Sequence, residues 1–245
     1  MLARDVIEAW LRSDQPAVIF DFNGTLSDDE PILFEIFREL FLTHLGWNMT
    51  REDYCEELLG HSDREIIERA ISRHGRGTEK EVTELLRLRQ GVYKQRVADK
   101  SPITDATVEL VKLLADNDIP VAIVTGAQRD DVLAVLEASP IGELFGIVIT
   151  EEDVSNGKPH PEGFLTAARL LRRRPDDVLV FEDSVPGVRA ALTAGMRCIA
   201  VGAPEPGGEL GTTASAIVPE LSTRLVQDEL RGWRRARAPD RPPST

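Results

Sequence analysis

The sequence predicts an α/β fold: a Rossmann-like, doubly wound parallel sheet with an inserted all-helical domain. Three observations carry that expectation. Short apolar runs rich in Val and Ile alternate with amphipathic stretches, the pattern of a parallel sheet with helices on both faces. The alternation stops between the first and second runs, where residues 31–100 read as helix throughout. Several apolar runs end on a polar or charged residue, as expected where strands deliver functional groups to a crevice beyond their carboxyl ends.

Taken in order, Ala17–Phe22 is the first strand. Four helical patterns follow, at Ile32–His44, Arg51–Leu58, Asp63–His74 and Glu79–Val97. Asp28-Asp29-Glu30-Pro31 and Lys100-Ser101-Pro102 are the hinges on either side of this segment. Thr104–Asn117 is the next helix, then strand Pro120–Thr125, helix Asp130–Ala138, strand Gly146–Thr150 and helix Pro161–Arg172. Strand Val178–Glu182, helix Val185–Ala194 and strands Cys198–Val201 and Ala216–Val218 complete the pattern. The expected division is a discontinuous core, 1–30 and 101–234, a helical cap, 31–100, and a frayed Arg- and Pro-rich tail, 235–245.

A chain of 245 residues fits one large domain or a core with a smaller insert, and 42% apolar residues suffice for a packed core. With 42 acidic and 29 basic side chains the formal charge is −13, which repels nucleic acid and anionic membranes. An anionic substrate needs a local cation to offset that field. Cys55 and Cys198 lie far apart in no metal-like spacing and read as free buried thiols in a reducing compartment. No apolar run approaches the ~20 residues of a membrane span. The N-terminus has no secretory pattern, so the cytoplasm is the expected location. Monomer and homodimer are both open.

Chemistry concentrates at four strand ends. Asp21 follows Ala17-Val18-Ile19-Phe20 and precedes the Asn23-Gly24 turn, which suits a nucleophilic carboxylate as well as a simple turn cap. Val124-Thr125-Gly126 supplies a hydroxyl and bare backbone N–H groups able to hold phosphate oxygens; alone it is an ordinary turn. Gly157-Lys158-Pro159-His160-Pro161 places a lysine in a proline-restricted loop, where it can neutralise a transferring phosphoryl group or simply be solvated. Phe181-Glu182-Asp183-Ser184 ends a strand on two adjacent acids, which suit Mg²⁺ or, for Asp183 and Ser184, a helix N-cap. Together the four segments describe Mg²⁺-assisted phosphoryl transfer through an aspartyl-phosphate.

On these motifs the chain resembles the haloacid dehalogenase superfamily over about residues 15–222. It is most similar to the branch with a helical cap after the first strand, which includes β-phosphoglucomutase and sugar-phosphate phosphatases. The resemblance implies that Asp21 attacks phosphorus, Thr125 and Gly126 hold phosphoryl oxygens, and Lys158 stabilises charge. It implies Mg²⁺ on the Asp21 carboxylate, the main-chain carbonyl of Asn23 and Asp183, with Glu182 assisting directly or through a neighbour. The cap closes over the substrate, a small phosphorylated metabolite, and Gly60-His61-Ser62-Asp63 falls at the substrate-reading loop, making His61 a substrate-binding candidate.

The sequence departs from this family pattern at Asn23, where a second Asp usually relays the proton. An amide does not titrate near neutral pH, and general acid–base help is worth ~10²–10⁴-fold. Alkyl phosphates should suffer most, and Asp28 or Asp29 are the nearby carboxylates that can substitute. The family's mutase has an early cap histidine where this chain has about Leu33, and no His lies between residues 1 and 43. The phosphonoacetaldehyde hydrolases use an early cap lysine, whereas this segment has only Lys80, Lys94 and Lys100. His44 and His74 fit helix ends, and His160 is placed to orient the Lys158 loop. The leading expectation is a Mg²⁺-dependent phosphomonoester hydrolase with weakened turnover. The alternatives are a phosphate-binding regulatory protein and a β-phosphoglucomutase-like phosphotransferase.

Overall fold

A computed structural model describes residues 2–58, 61–75, 77–203 and 208–237. Along the chain run α1 (Ala3–Leu11), β1 (Ala17–Phe20), α2 (Glu30–Leu45), α3 (Arg51–Glu57), α4 (Asp63–His74) and α5 (Glu79–Asp99). They are followed by α6 (Asp105–Ala115), β2 (Val121–Val124), α7 (Arg129–Glu137), β3 (Val148–Ile149), α8 (Glu162–Leu171) and β4 (Val178–Glu182). The last elements are α9 (Val185–Thr193), β5 (Arg197–Val201), α10 (Glu209–Thr213), β6 (Ala216–Val218) and α11 (Gln227–Arg237).

Every residue of β1, β2 and β4 is buried, as the unbroken apolar runs require of strands covered on both faces. The strands pair in the order β3-β2-β1-β4-β5-β6, all parallel. Val18 stands beside Val121 on one side and Leu179 on the other. Alternation along the strands divides the core. Val18, Phe20, Ile123 and Phe181 pack on one face with Trp10, Leu110, Leu114, Val132 and Leu230; Ala17, Ile19, Val124 and Val180 pack on the other with Phe164, Ala167, Val188 and Ala191. The result is the three-layer, doubly wound α/β fold. Strand order reverses at β1, so ligand chemistry is favoured beyond the carboxyl ends of β1, β2 and β4.

Helices α2 to α5 fill the stretch between β1 and α6. Their starts are built locally. Thr50 with Asp53 and Ser62 with Glu65 form reciprocal caps, and Thr78 accepts from the Glu81 N–H. Gly46 closes α2 in the left-handed conformation at φ 69°. Phe34, Phe37, Phe41, Tyr54, Ile67, Ile71 and Tyr93 form the apolar interior of this insert, and Trp47 stacks between Phe41 and His74.

Elements read from sequence recur with shifts of one or two residues. Phe22, Thr125 and Thr150 lie beyond their ladders, because the chain leaves the sheet there. Glu30 and Pro31 belong to the first turn of α2, leaving Asp28 and Asp29 as the connection on that side. Among the described residues three α-helices lie outside the expected pattern: α1, whose apolar side chains recur at 6, 7, 10 and 11, α10 and α11. Helix α11 runs into the expected tail as far as Arg237, and residues 238–245 lie outside the described residues. Both cysteines are free, but only Cys198 is buried. Cys55 is exposed on α3, correcting its expected burial. Among the described residues no helix is long and apolar enough to cross a membrane.

Candidate active site

Asp21 leaves β1 with its N–H donated to the Phe181 carbonyl at 2.9 Å, which places it alongside the end of β4. The turn that follows is tight. The Gly24 N–H bonds Ser27 O at 2.8 Å, and the Ser27 N–H bonds Phe22 O at 2.8 Å. Gly24 adopts φ 75°, and a Cβ there would lie 2.1 Å from Asp183 Oδ2. Glycine is therefore required twice over, by backbone conformation and by the close approach of a carboxylate.

The carboxylate oxygens of Asp21, Glu182 and Asp183 come within 4.8 Å of one another. The loop between β3 and α8 brings Lys158 into the same place: its Nζ donates to Asp21 Oδ1 and, at 2.6 Å, to Glu182 Oε1. The ammonium also sits 5.4 Å from the centroid of the buried Phe164 ring. The other Glu182 oxygen accepts the Ser184 N–H at 2.5 Å and the Ser184 hydroxyl at 2.8 Å. Ser184 caps α9 as well, accepting from the Gly187 N–H at 3.1 Å. A Cβ on Gly187 would fall 1.7 Å from Glu182 Oε1. Residue 187 is thus glycine because the Glu182 carboxylate occupies its side-chain space.

Three carboxylates share the site with one ammonium, which bonds two of them, Asp21 and Glu182, and burial makes the surplus negative charge expensive. Burial pushes Asp21 up to about 7 against the pull of Lys158, with Glu182 adding to the rise. Burial, then the Asp21 and Glu182 charges, pushes Asp183 up to about 8. Burial also works against the charge on Lys158, but Asp21 and Glu182 outweigh it and hold the ammonium above its ordinary range. Hard oxygen donors and a surplus of two negative charges when all ionise fit a small divalent cation such as Mg²⁺.

Thr125 is buried just past β2, its N–H donated to Ile149 O at 2.9 Å and its hydroxyl accepting from the Ala127 N–H at 3.0 Å. Accepting that bond leaves the hydroxyl proton free to donate elsewhere. Gly126 has open space on its Cβ side. Asn23 turns its amide away from a proton-relay role: Nδ2 donates to Asp29 Oδ2 at 2.8 Å, and the Tyr93 hydroxyl donates to the same oxygen. Burial raises the Asp29 carboxyl, opposed by these two hydrogen bonds and the charge of Arg89. Asp28, the other nearby acid, is exposed. His61 is paired with Glu65 at 3.6 Å and its N–H with Leu58 O at 3.2 Å, both within the insert; Gly60 lies outside the described residues. His160 is half-exposed and faces Glu162 at 3.8 Å.

Tyr93, Arg89 and Asp131 were not visible as site neighbours in the sequence. Arg89, 4% exposed, bridges Asp63 at 3.0 Å and Asp131, and its guanidinium lies 4.7 Å over the Tyr93 ring. The only sequence signal is the i, i+4 spacing of Arg89 and Tyr93 on one helix face.

The chain has counterparts among known proteins. Protein CbbY of Rhodobacter capsulatus is 27% identical over 217 residues, 86% of this chain and 96% of that one. A phosphorylated carbohydrates phosphatase of Thermotoga maritima is 32% identical over 190 residues, 75% of this chain and 83% of its own length. The crystal structure of CbbY from Rhodobacter sphaeroides in complex with phosphate superposes with a TM-score of 0.72 at 27% identity, covering 84% of this chain and 94% of that one. β-Phosphoglucomutase from Clostridium difficile, at 22% identity and a TM-score of 0.71, shares the fold. The haloacid dehalogenase-like hydrolase model matches residues 18–201, a span that begins in β1 and ends with β5 and so takes in Asp21, Thr125, Lys158, Glu182 and Asp183. The chain belongs to the haloacid dehalogenase-like hydrolases.

Proposed function

We propose that this enzyme, a phosphatase of the haloacid dehalogenase type, hydrolyses the phosphomonoester of a small metabolite through a phosphoryl group carried on Asp21. The observation that carries the reading is the meeting of Asp21, Lys158 and Asp183 beside the strand-order reversal. An Asp21 oxygen forms the bond to phosphorus as the bond to the leaving oxygen breaks, and that oxygen departs with the electron pair. Lys158 keeps the Asp21 carboxylate oriented and offsets charge on the transferring group. The Thr125 hydroxyl and the Gly126 backbone hold the non-bridging oxygens. Water then attacks phosphorus, releasing inorganic phosphate and restoring Asp21.

Asp21, the Asn23 main-chain carbonyl and Asp183 would hold Mg²⁺, whose charge offsets that of the phosphoryl oxygens. Glu182, with both oxygens engaged by Lys158 and Ser184, acts through Lys158. The insert 31–100 serves as the cap that excludes water. His61 is assigned to substrate contact, supported by its place two residues before Asp63, whose Arg89 bridge reaches Asp131 on the core. A phosphorylated carbohydrate is the favoured substrate class, in keeping with the names of the relatives.

The test is Mg²⁺-dependent phosphate release from an activated aryl phosphate and a panel of sugar and nucleotide phosphates by the wild type, Asn23→Asp and Asp21→Ala. Release that disappears in Asp21→Ala supports the reading; undiminished release in a clean Asp21→Ala preparation ends it. The Asn23 amide favours a second reading, a phosphate-responsive regulatory protein with little turnover. A long-lived phosphoryl-protein formed from a small phosphoryl donor is its signature, and fast turnover of a metabolite excludes it.

A further inference from the structure

We propose that Asp29 and Tyr93 are positioning residues for the Asn23 amide, making it a fixed hydrogen-bond donor whose orientation depends on the docking of α5; this rests on the phosphatase reading above. Asp29 and Tyr93 are fully buried. One oxygen, Asp29 Oδ2, accepts both the Asn23 Nδ2 donor at 2.8 Å and the Tyr93 hydroxyl. An acceptor at that position selects the nitrogen end of the amide, so the carbonyl end of Asn23 is turned away from it. The amide nitrogen has two hydrogens. Asp29 takes one, and the second is left for a substrate oxygen.

This arrangement defines what position 23 can contribute. A hydrogen bond to the leaving oxygen stabilises charge as it develops, without delivering a proton. Esters with weakly basic leaving oxygens need no more than that, whereas simple alkoxides depend strongly on the strength and direction of that one bond. Alkyl esters are therefore the sensitive readout of how well Asn23 is held.

Helix α5 connects the holding to the insert. Tyr93 reaches the β1 loop through Asp29, while Arg89, one turn earlier, reaches α7 through Asp131. Lys94 and Gln90 add bonds to Asp130 at 3.0 and 3.2 Å. The helix thus touches both the loop that follows β1 and α7, the helix that follows β2. Undocking α5 would withdraw the Tyr93 hydroxyl and leave Asn23 with one fewer constraint.

Asn23 and Asp29 are also a complementary pair, so their exchange can be tested. Asn23→Asp alone sets two carboxylates against each other at a buried site, and Asp29→Asn in the same chain restores one donor and one acceptor.

The experiment compares kcat and KM for an aryl and an alkyl phosphate in the full chain with Mg²⁺, for wild type, Tyr93→Phe, Asn23→Ala and the double variant. Tyr93→Phe retains the buried ring and removes one donor. The expected result is a fall of about tenfold in kcat on the alkyl ester with KM unchanged, little change on the aryl ester, and no further change of that ratio in the Asn23→Ala background. An equal fall on both esters, or the same ratio change with Asn23 already removed, makes the hydroxyl merely structural and overturns the proposal. A wild type with no release sensitive to Asp21→Ala defeats the phosphatase reading itself. Thermal melts of Asn23→Asp, Asp29→Asn and their combination then decide the pairing: recovery in the double variant supports it, and additive losses overturn it.

Discussion

Lys158 and Glu182 are joined at 2.6 Å, and the Glu182 side chain is 1% exposed, so nearly all of its hydrogen-bonding capacity is spent on Lys158 and Ser184. Glu182 therefore aims the lysine. Glu182→Gln retains the volume, removes the charge that helps hold the ammonium, and turns an amide toward Lys158 or toward the Ser184 donors. Phosphate release and Mg²⁺ titration should show a loss of about 10–100-fold in activity or metal affinity with the fold intact. Unchanged values would show that Asp21 alone suffices to place Lys158.

Gly187 and Gly91 make a matched pair of opposite sign. A Cβ at 187 would collide with the Glu182 carboxylate at 1.7 Å, whereas one at 91, on α5, meets nothing within 4 Å. Gly187→Ala should lower stability by about 1–3 kcal/mol, the usual range for overpacking, and reduce activity through Lys158. Gly91→Ala should raise it by up to about 1 kcal/mol, since alanine is the better helix former. Equilibrium denaturation of both variants checks the signs.

The fold was legible because parallel strands buried on both faces write themselves as unbroken apolar runs, as Ala17–Phe20 and Val178–Phe181 do. Asp21 was legible because it ends an unbroken apolar run just before the Asn23-Gly24 turn, and Thr125, Lys158, Glu182 and Asp183 because each stands beside a glycine, a proline or another acid. Tyr93 and Arg89 were not. A polar residue on a long helix reads as solvated until the packing partner is known, and their partners, Asp29 and Asp131, lie far away in sequence. The division of labour between the two adjacent acids was equally hidden, because only the direction of each side chain separates Glu182, bound to Lys158, from Asp183, which faces Gly24.

Arg89 and Lys94 each join α5 to α7, but in different surroundings. Arg89 and Asp131 are 5% exposed at their side chains, while Lys94 and Asp130 are 45% and 58% exposed. Arg89→Ala leaves the buried Asp131 and the part-buried Asp63 without their cation and should destabilise by about 3–5 kcal/mol. Lys94→Ala should lose at most about 1 kcal/mol, less at high salt. Comparable losses in urea unfolding would mean that the buried pair is not what fastens the helix.

The site should also couple Mg²⁺ to pH. Asp21 and Asp183 are pushed up to about 7 and about 8 from an ordinary value of 3.8, with burial the leading cause of both rises. Between that ordinary value and those raised ones, the folded protein holds protons that the unfolded chain has released. Stability of the metal-free protein therefore falls as pH rises through this window. Lys158 remains protonated throughout, since its shift is upward from an already high value. A divalent cation favours the ionised carboxylates and cancels the surplus charge, so its stabilising effect should grow as protons leave. Melting temperatures in chelator should decline from about pH 5.5 to about pH 8.5, and the increment from added Mg²⁺ should widen over the same range. Asp183→Asn removes one of the two raised carboxylates and a candidate Mg²⁺ ligand together, so it should flatten the decline and abolish most of the increment. An Mg²⁺ increment that is equal at both pH values would show that the ion binds away from Asp21 and Asp183.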